Sequence, residues 1–356
     1  IIIDIASSFS YGHFSFSVSN GPFKYQKYFQ SIFLLYSNTD EYGFERPENF
    51  DYEVYEKFFS NYLSTLARRS KKWQTLLNQN IGLKRSKLLK RYIRKGIPSS
   101  QRKCVWLAIA GVSHDTNASQ NFYKSHLHIS LEPELFEVIR ADLPRTFPTN
   151  IFFNKEINRQ NQLCNILVAY ANANKNVGYC QGLNYIAGLL LLITDCESSS
   201  FFLLKYLVED LLPSYYTRSM DGLIVDIKVL SELIRIKFPD VYKHIVDLGM
   251  PWPVIFTKWF VCLFAEVLPT ETVLRLWDCL FYEGSKILFR AGLTLVHILR
   301  SQIMKSSDFT SLFQCFQNVG DNYSVLDCHE FMKNAFVVPG KITNSEINEL
   351  REQFKK

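Results

Sequence analysis

From Asp51 onward the chain repeats its apolar residues at intervals of three and four, and beyond the first 37 residues no run of alternating apolar and polar residues interrupts that rhythm. Such a period lays one apolar stripe along a helix and cannot serve a pleated strand, whose side chains change face at every residue. The sequence therefore predicts an all-α fold. The clearest stripe is Val54, Tyr55, Phe58, Phe59, Tyr62, Leu63 and Leu66. Asp51, Glu53 and Glu56 stand at its start and Arg68, Arg69, Lys71 and Lys72 toward its end, the order that complements a helix dipole. Trp73, Leu76 and Leu77 carry it on to a polar break at Asn78-Gln79-Asn80.

Further helices have legible ends. Pro133 suits the first turn of a helix through Leu135, Phe136, Val138 and Ile139, which must stop before Pro144. Gly182 opens a helix from Leu183 to Ile193, Pro239 separates Leu223–Phe238 from Val241–Leu248, and Gly284 closes Thr270–Tyr282. Asp327 with Glu330, and Thr343 with Glu346, have the spacing of capping boxes.

A chain of 356 residues, 47% of them hydrophobic, can bury a large core and exceeds the usual size of one domain, so one elongated domain and two packed lobes both fit. A charged fraction of 21% excludes the disordered class. Two apolar stretches, Ile186 to Ile193 and Trp252 to Leu268, read as buried helices: the first is far short of the roughly 20 residues of a membrane span, and the second carries Lys258 and Glu266. None of the eight cysteines forms a Cys-x-x-Cys pair, which argues against zinc or redox motifs and for reduced core thiols of a cytosolic protein. Residues 1–37, rich in Ser, Phe and Tyr with an alternating stretch from Phe14 to Val18, form an atypical leader expected to be poorly ordered or outside the domain.

Charge is unevenly spread. Fourteen of the 40 Lys and Arg lie between Lys57 and Lys103, whereas none of the 34 acidic residues falls from Lys57 through His114. That segment is either a solvated helix face or a surface that draws an acidic partner or an anionic membrane. No nucleic-acid partner is expected.

Conventional catalytic motifs are absent: there is no phosphate-cradling glycine loop, no Gly-x-Ser-x-Gly elbow and no His-Glu-x-x-His helix. His126 and His128 form a His-x-His pair without a Cys or carboxylate cluster beside it, so no metal site is expected. Two segments stand out instead. In Ile139-Arg140-Ala141-Asp142-Leu143-Pro144-Arg145-Thr146-Phe147-Pro148, Arg145 follows a helix end between two prolines that stiffen the backbone. Its guanidinium either projects toward a partner or satisfies the last helix carbonyls. In Val177-Gly178-Tyr179-Cys180-Gln181-Gly182-Leu183-Asn184-Tyr185, two glycines bracket Gln181 just before an apolar helix. The Gln181 amide is either free at a loop tip or caps that helix above Tyr179.

Together these segments resemble the TBC family of Rab GTPase-activating proteins. Arg94-Lys95-Gly96-Ile97-Pro98, with Arg102 and Val105-Trp106 after it, is similar to the family's opening signature. Ile139, Asp142 and Arg145 match its Ile-x-x-Asp-x-x-Arg motif, Tyr179-Cys180-Gln181 its Tyr-x-Gln motif, and Leu276-Trp277-Asp278 with Glu283-Gly284 a later block. The order of four blocks makes the match specific, and the similarity runs from Glu41 to Phe289. It implies a bilobal helical fold, with an N-terminal helical extension over 38–94, a core over 95–287 and C-terminal helices over 288–356 packed on the second lobe. It also implies an arginine finger at Arg145 and a glutamine finger at Gln181. Asp142, Tyr179, Gly178 and Gly182 would support them, and Arg102, Trp106, Trp277 and Asp278 would be structural. The partner would be a GTP-bound Rab-type GTPase carrying its own nucleotide and Mg²⁺, so the chain needs no cofactor and is an activator rather than a stand-alone enzyme. A catalytically silent Rab-binding or membrane-tethering scaffold is the alternative. The expected location is cytoplasmic, peripheral on endomembranes.

Overall fold

The computed structural model describes residues 38–48, 50–78, 83–112, 117–155 and 157–355. The leader predicted over residues 1–37 lies outside them. Among the described residues the fold is helical without a strand, extended pairing being confined to isolated bridges from Thr39 to Glu45 and from Phe44 to Asn150.

The long apolar stripe becomes α1 (Tyr52–Asn78), whose start Asp51 caps by accepting from the Val54 amide at 2.9 Å. Next come α2 (Lys87–Lys95), capped by Ser86, and α3 (Ser99–Ile109). A first lobe is built from α4 (Asn117–Leu127), α5 (Pro133–Asp142), α6 (Ile151–Lys155), α7 (Ile157–Ala173), α8 (Leu183–Thr194) and α9 (Glu197–Lys205), with α7 packed on α4, α5, α8 and α9. The second lobe holds α10 (Asp221–Lys237), α11 (Pro239–Asp247), α12 (Trp252–Val261), α13 (Thr270–Glu283) and α14 (Lys286–Lys305), then α15 (Phe309–Gln317), α16 (Tyr323–Leu326), α17 (Cys328–Val337) and α18 (Asn344–Phe354). Within it α13 packs against α2, α14 and α17, and α18 lies on α10. The fold is thus bilobal. Between the lobes sits α3, touching α8 and α9 on one side and α13 on the other.

That junction explains several sequence signatures. Arg102 on α3 is fully buried, and its guanidinium donates to Asp278 at 3.1 Å, to Glu271 at 3.0 Å and to the Tyr42 hydroxyl at 2.8 Å. Asp278 also accepts from the Trp106 indole at 2.9 Å and from the Ile97 amide at 3.1 Å. The Trp277 indole donates to the Leu263 carbonyl at 2.9 Å. A buried ion is tolerable only with such full pairing, and removing one partner of a buried pair costs about 3–5 kcal/mol. Arg102, Trp106 and Asp278 thus fasten α3 to α13, while Trp277 ties α13 to the turn after α12.

Three expectations need correction. Residues 38–48 form turns rather than part of a helical extension: Asp40 accepts from the Tyr42 and Phe44 amides at 2.9 Å each, a local geometry that competes with helix. The apolar stretch Trp252–Leu268 is not one helix, because α12 ends at Val261 and the chain turns through Leu263 and Phe264 at φ 47° and 64°. Of the eight free cysteines only Cys262, Cys279 and Cys328 are buried, and Cys104 is exposed, so an apolar neighbour in sequence did not guarantee a core position. The described helix long and apolar enough to cross a membrane is α14, and 67% of its most apolar window is buried within the fold.

Candidate functional site

Pro133 occupies the first position of α5, where no amide is required, and the helix runs to Asp142 before tightening into a 3₁₀ turn, Leu143–Arg145. The chain then reverses at Phe147, whose φ of 53° is rare for an aromatic residue. Packing holds it there, since the Phe147 ring meets Phe44, Tyr185 and Phe153 at centroid distances of 5.1, 5.4 and 5.9 Å. Arg145 is thereby set on the surface, with 60% of its side chain exposed.

The exposed guanidinium is not free. Its Nε donates to the Ala141 carbonyl at 3.3 Å, and a terminal nitrogen pairs with one carboxylate oxygen of buried Asp142. Both readings of Arg145 therefore meet in one arrangement: it is displayed, and it rests against the end of its own helix. The other Asp142 oxygen accepts from the Tyr179 hydroxyl at 2.6 Å. Burial, then the bond to Asp142, pushes the Tyr179 hydroxyl well above its usual ionisation range, so it remains a donor.

Further hydrogen bonds tie the two segments. Thr146 donates to the Asp142 carbonyl at 2.8 Å and accepts from the Asn184 amide at 2.8 Å. The other end of Asn184 accepts from the Gly182 amide at 3.0 Å, and the Tyr185 hydroxyl donates to the Arg145 carbonyl at 3.2 Å. Thr146, Asn184 and Tyr185 were not singled out in the sequence. Asn184 is the one amide side chain on a largely apolar helix, and that was the available signal.

Gln181 lies immediately before α8, but the cap position falls to Gly182, and no side chain caps the helix. The Gln181 side chain is exposed and makes no hydrogen bond among the described residues. The helix-cap reading is therefore not realised. Gly182 has φ 111°, and a Cβ there would come within 3.1 Å of the Val261 carbonyl, so both conformation and space demand glycine. Gly178, at φ 59°, is required for conformation alone, since a Cβ would only touch Leu135 at 3.4 Å. The result is a tight loop carrying Gln181, braced through Tyr179 and Asn184 to the turn that carries Arg145. No group of three or more His, Cys, Asp or Glu that could hold a metal occurs among the described residues, and His126 faces the Phe122 carbonyl at 2.8 Å.

Residues 99–304 match the Rab-GTPase-TBC domain family, and the chain belongs to that family. Among its relatives, it is 45% identical to growth hormone-regulated TBC protein 1-A of Danio rerio over 321 residues, 90% of either chain. It is also 45% identical to growth hormone-regulated TBC protein 1 of Homo sapiens over 318 residues, 89% of this chain and 94% of that one. Of solved structures, the Chlamydomonas flagellar RabGAP TBC domain is similar at a TM-score of 0.71 and 30% identity, covering 84% of this chain and 99% of the other. The Ypt/Rab-GAP domain of Gyp1p shares the fold at a TM-score of 0.66 and 21% identity, covering 77% of this chain and 98% of the other.

Proposed function

We propose that this protein accelerates GTP hydrolysis by a GTP-bound Rab-type GTPase, inserting Arg145 and Gln181 into the partner's active site. The observation that carries this is the brace Arg145–Asp142–Tyr179, with the Gln181 amide unengaged two residues beyond Tyr179. Charge builds on the γ-phosphate oxygens during phosphoryl transfer, and a planar guanidinium offers them several fixed donors. A glutamine amide both donates and accepts, so it can hold the attacking water and contact the GTPase backbone at once. Neither role needs an altered proton affinity. GTP and Mg²⁺ come with the partner.

In this reading the contact between Arg145 and Asp142 is a resting position. Swinging the guanidinium onto phosphate exchanges one carboxylate partner for a more highly charged one. Only a short stretch of chain separates the two fingers from a common brace, so both are presented together, and pre-paid orientation of this kind can supply a large part of a barrier reduction. The basic segment over residues 57–103 would hold the protein peripherally on an anionic membrane, where such a partner is displayed.

Single-turnover hydrolysis across a panel of GTP-loaded Rabs tests the proposal. Stimulation of at least one Rab is the expected result. Binding to GTP-loaded Rabs without stimulation of any would instead favour the silent scaffold.

A further inference from the structure

The basic segment does not spread evenly over the surface. Part of it converges on a hollow of about 420 Å³ between α1, α2, α13 and α17, a volume in the range of small-molecule sites. On α2, Lys87, Arg91 and Lys95 recur at four-residue intervals and so share one face, while Leu89 and Ile93 bury the other. Arg69 enters from α1 and Lys333 from α17. Arg94, Lys90 and buried Arg275 complete a lining of eight cations with no Asp or Glu.

Most of this charge is uncompensated. Lys90 and Arg94 share Glu283, at 3.2 and 2.5 Å, and Arg94 also lies over the Phe336 ring at 4.0 Å. Arg69, Lys87, Arg91, Lys95 and Lys333 have no carboxylate within ion-pair distance among the described residues. Burial and neighbouring cations lower the proton affinity of two of them. Lys95 is lowered by Arg91 first, then by burial, Lys72 and Arg69. Arg69 falls to about 10 through burial and the nearby Arg275. His329 in the same wall accepts from Arg275 at 3.2 Å and Arg69 at 3.3 Å on Nδ1, and its buried Nε2 has no partner. Like charges gathered in one concavity oppose folding and are retained at a cost that a bound anion would cancel.

We propose that this hollow is a binding site for a compact polyphosphate, two or more phosphate monoesters carried on a small ring, presented either as a lipid headgroup or as the free soluble compound. One phosphate would face the row Lys87–Arg91–Lys95, and a second the wall formed by Arg69 and Lys333. A single phosphate would engage only part of the lining. Met332 and Phe336 complete the lining. This inference sharpens the membrane attraction proposed above and is independent of the fingers, with which the hollow shares no residue.

The test uses the full chain at fixed ionic strength. Titration with free inositol hexakisphosphate, read by calorimetry and by thermal shift, is compared with vesicles carrying phosphatidylinositol bisphosphate and with phosphatidylserine vesicles of equal surface charge. The expected result is saturable binding of the free compound that raises Tm. Retention on bisphosphate vesicles above the charge-matched control assigns the site to a lipid, and equal retention assigns it to a soluble polyphosphate. The variant K87Q/R91Q/K95Q should weaken the free compound by about tenfold or more, since each lost charge-assisted bond is worth at least a large part of that factor. K71Q/K84Q/K103Q, which removes the same charge from the same basic segment outside the hollow, should leave it unchanged. Equal weakening by both triple variants, or no saturable binding of the free compound, overturns the proposal. Neither triple variant should alter stimulation of a soluble Rab, so this inference and the finger mechanism fail separately.

Discussion

Tyr179 donates to Asp142 across 2.6 Å, joining the loop that carries Gln181 to the turn that carries Arg145. Because Asp142 is buried, this bond and the Arg145 contact neutralise a carboxylate that would otherwise be costly. Tyr179→Phe should lower stability by about 1–3 kcal/mol, the cost of leaving a buried acceptor short of a donor. It should also reduce kcat/KM for a responsive Rab, since both fingers lose their shared brace. Urea denaturation with the hydrolysis assay checks both, and a variant unchanged in each would show that the brace carries nothing.

Arg145→Ala should abolish most of the stimulation while leaving the fold intact. Arginine fingers are worth about 10³ to 10⁵ in rate, or roughly 4 to 7 kcal/mol of barrier. The Arg145 ion pair is largely exposed and Asp142 keeps Tyr179, so the stability change should stay within about 1 kcal/mol. Arg145→Lys should also be poor, because a point charge does not replace a planar fork. Full stimulation by either well-folded variant would remove Arg145 from the mechanism.

A pH effect should come from the second lobe. Burial, then Arg275 and Arg69, hold His329 down to about 3, against an ordinary 6.5. Between these values the unfolded chain binds the extra proton and the folded chain does not, so the His329 contribution is fully present above pH 6.5 and is lost as pH falls toward 3. His329→Gln keeps an acceptor for both arginines and removes the titration. The stability difference between wild type and His329→Gln should therefore shift steadily against wild type from pH 7 to pH 5. Parallel stability curves over that interval would mean that His329 protonates in place.

The fold was legible because helix ends carry local chemistry. Pro133 at the first turn of α5, Gly182 before α8, Gly284 after α13 and Thr343 with Glu346 at α18 all lie where the sequence put them. The Arg145 and Gln181 segments were legible from their prolines and glycines. Their connection was not: Tyr179 and Asp142 are far apart in sequence, and no local rule relates a phenol in one loop to a carboxylate at another helix's end. The same holds for the hollow, where α1, α2 and α17 meet. A run of cations from Lys57 to Lys103 reads identically whether it fans out into solvent or converges, and Lys333 lies outside it. Turns failed for a related reason, since Leu263 and Phe264 adopt left-handed backbone that their apolar side chains do not favour and that packing imposes.

Gln181 provides the sharpest discrimination, because small GTPases can orient the attacking water with a glutamine of their own. The structure leaves the Gln181 amide exposed and unbonded, with Gly178 and Gly182 fixing the loop at positive φ on either side. One correctly held amide is sufficient to align a nucleophile. A Rab whose catalytic Gln is replaced by Ala should therefore still be stimulated by the wild-type protein, and Gln181→Ala should abolish that rescue. Because Gln181 is not the helix cap, Gln181→Ala should leave Tm unchanged within error, which separates lost chemistry from lost structure. The measurement is single-turnover hydrolysis with both Rab forms and both versions of this protein. Complete dependence on the Rab glutamine, with no effect of Gln181→Ala on either form, would leave Arg145 acting alone and return the Gln181 loop to a packing element at the start of α8.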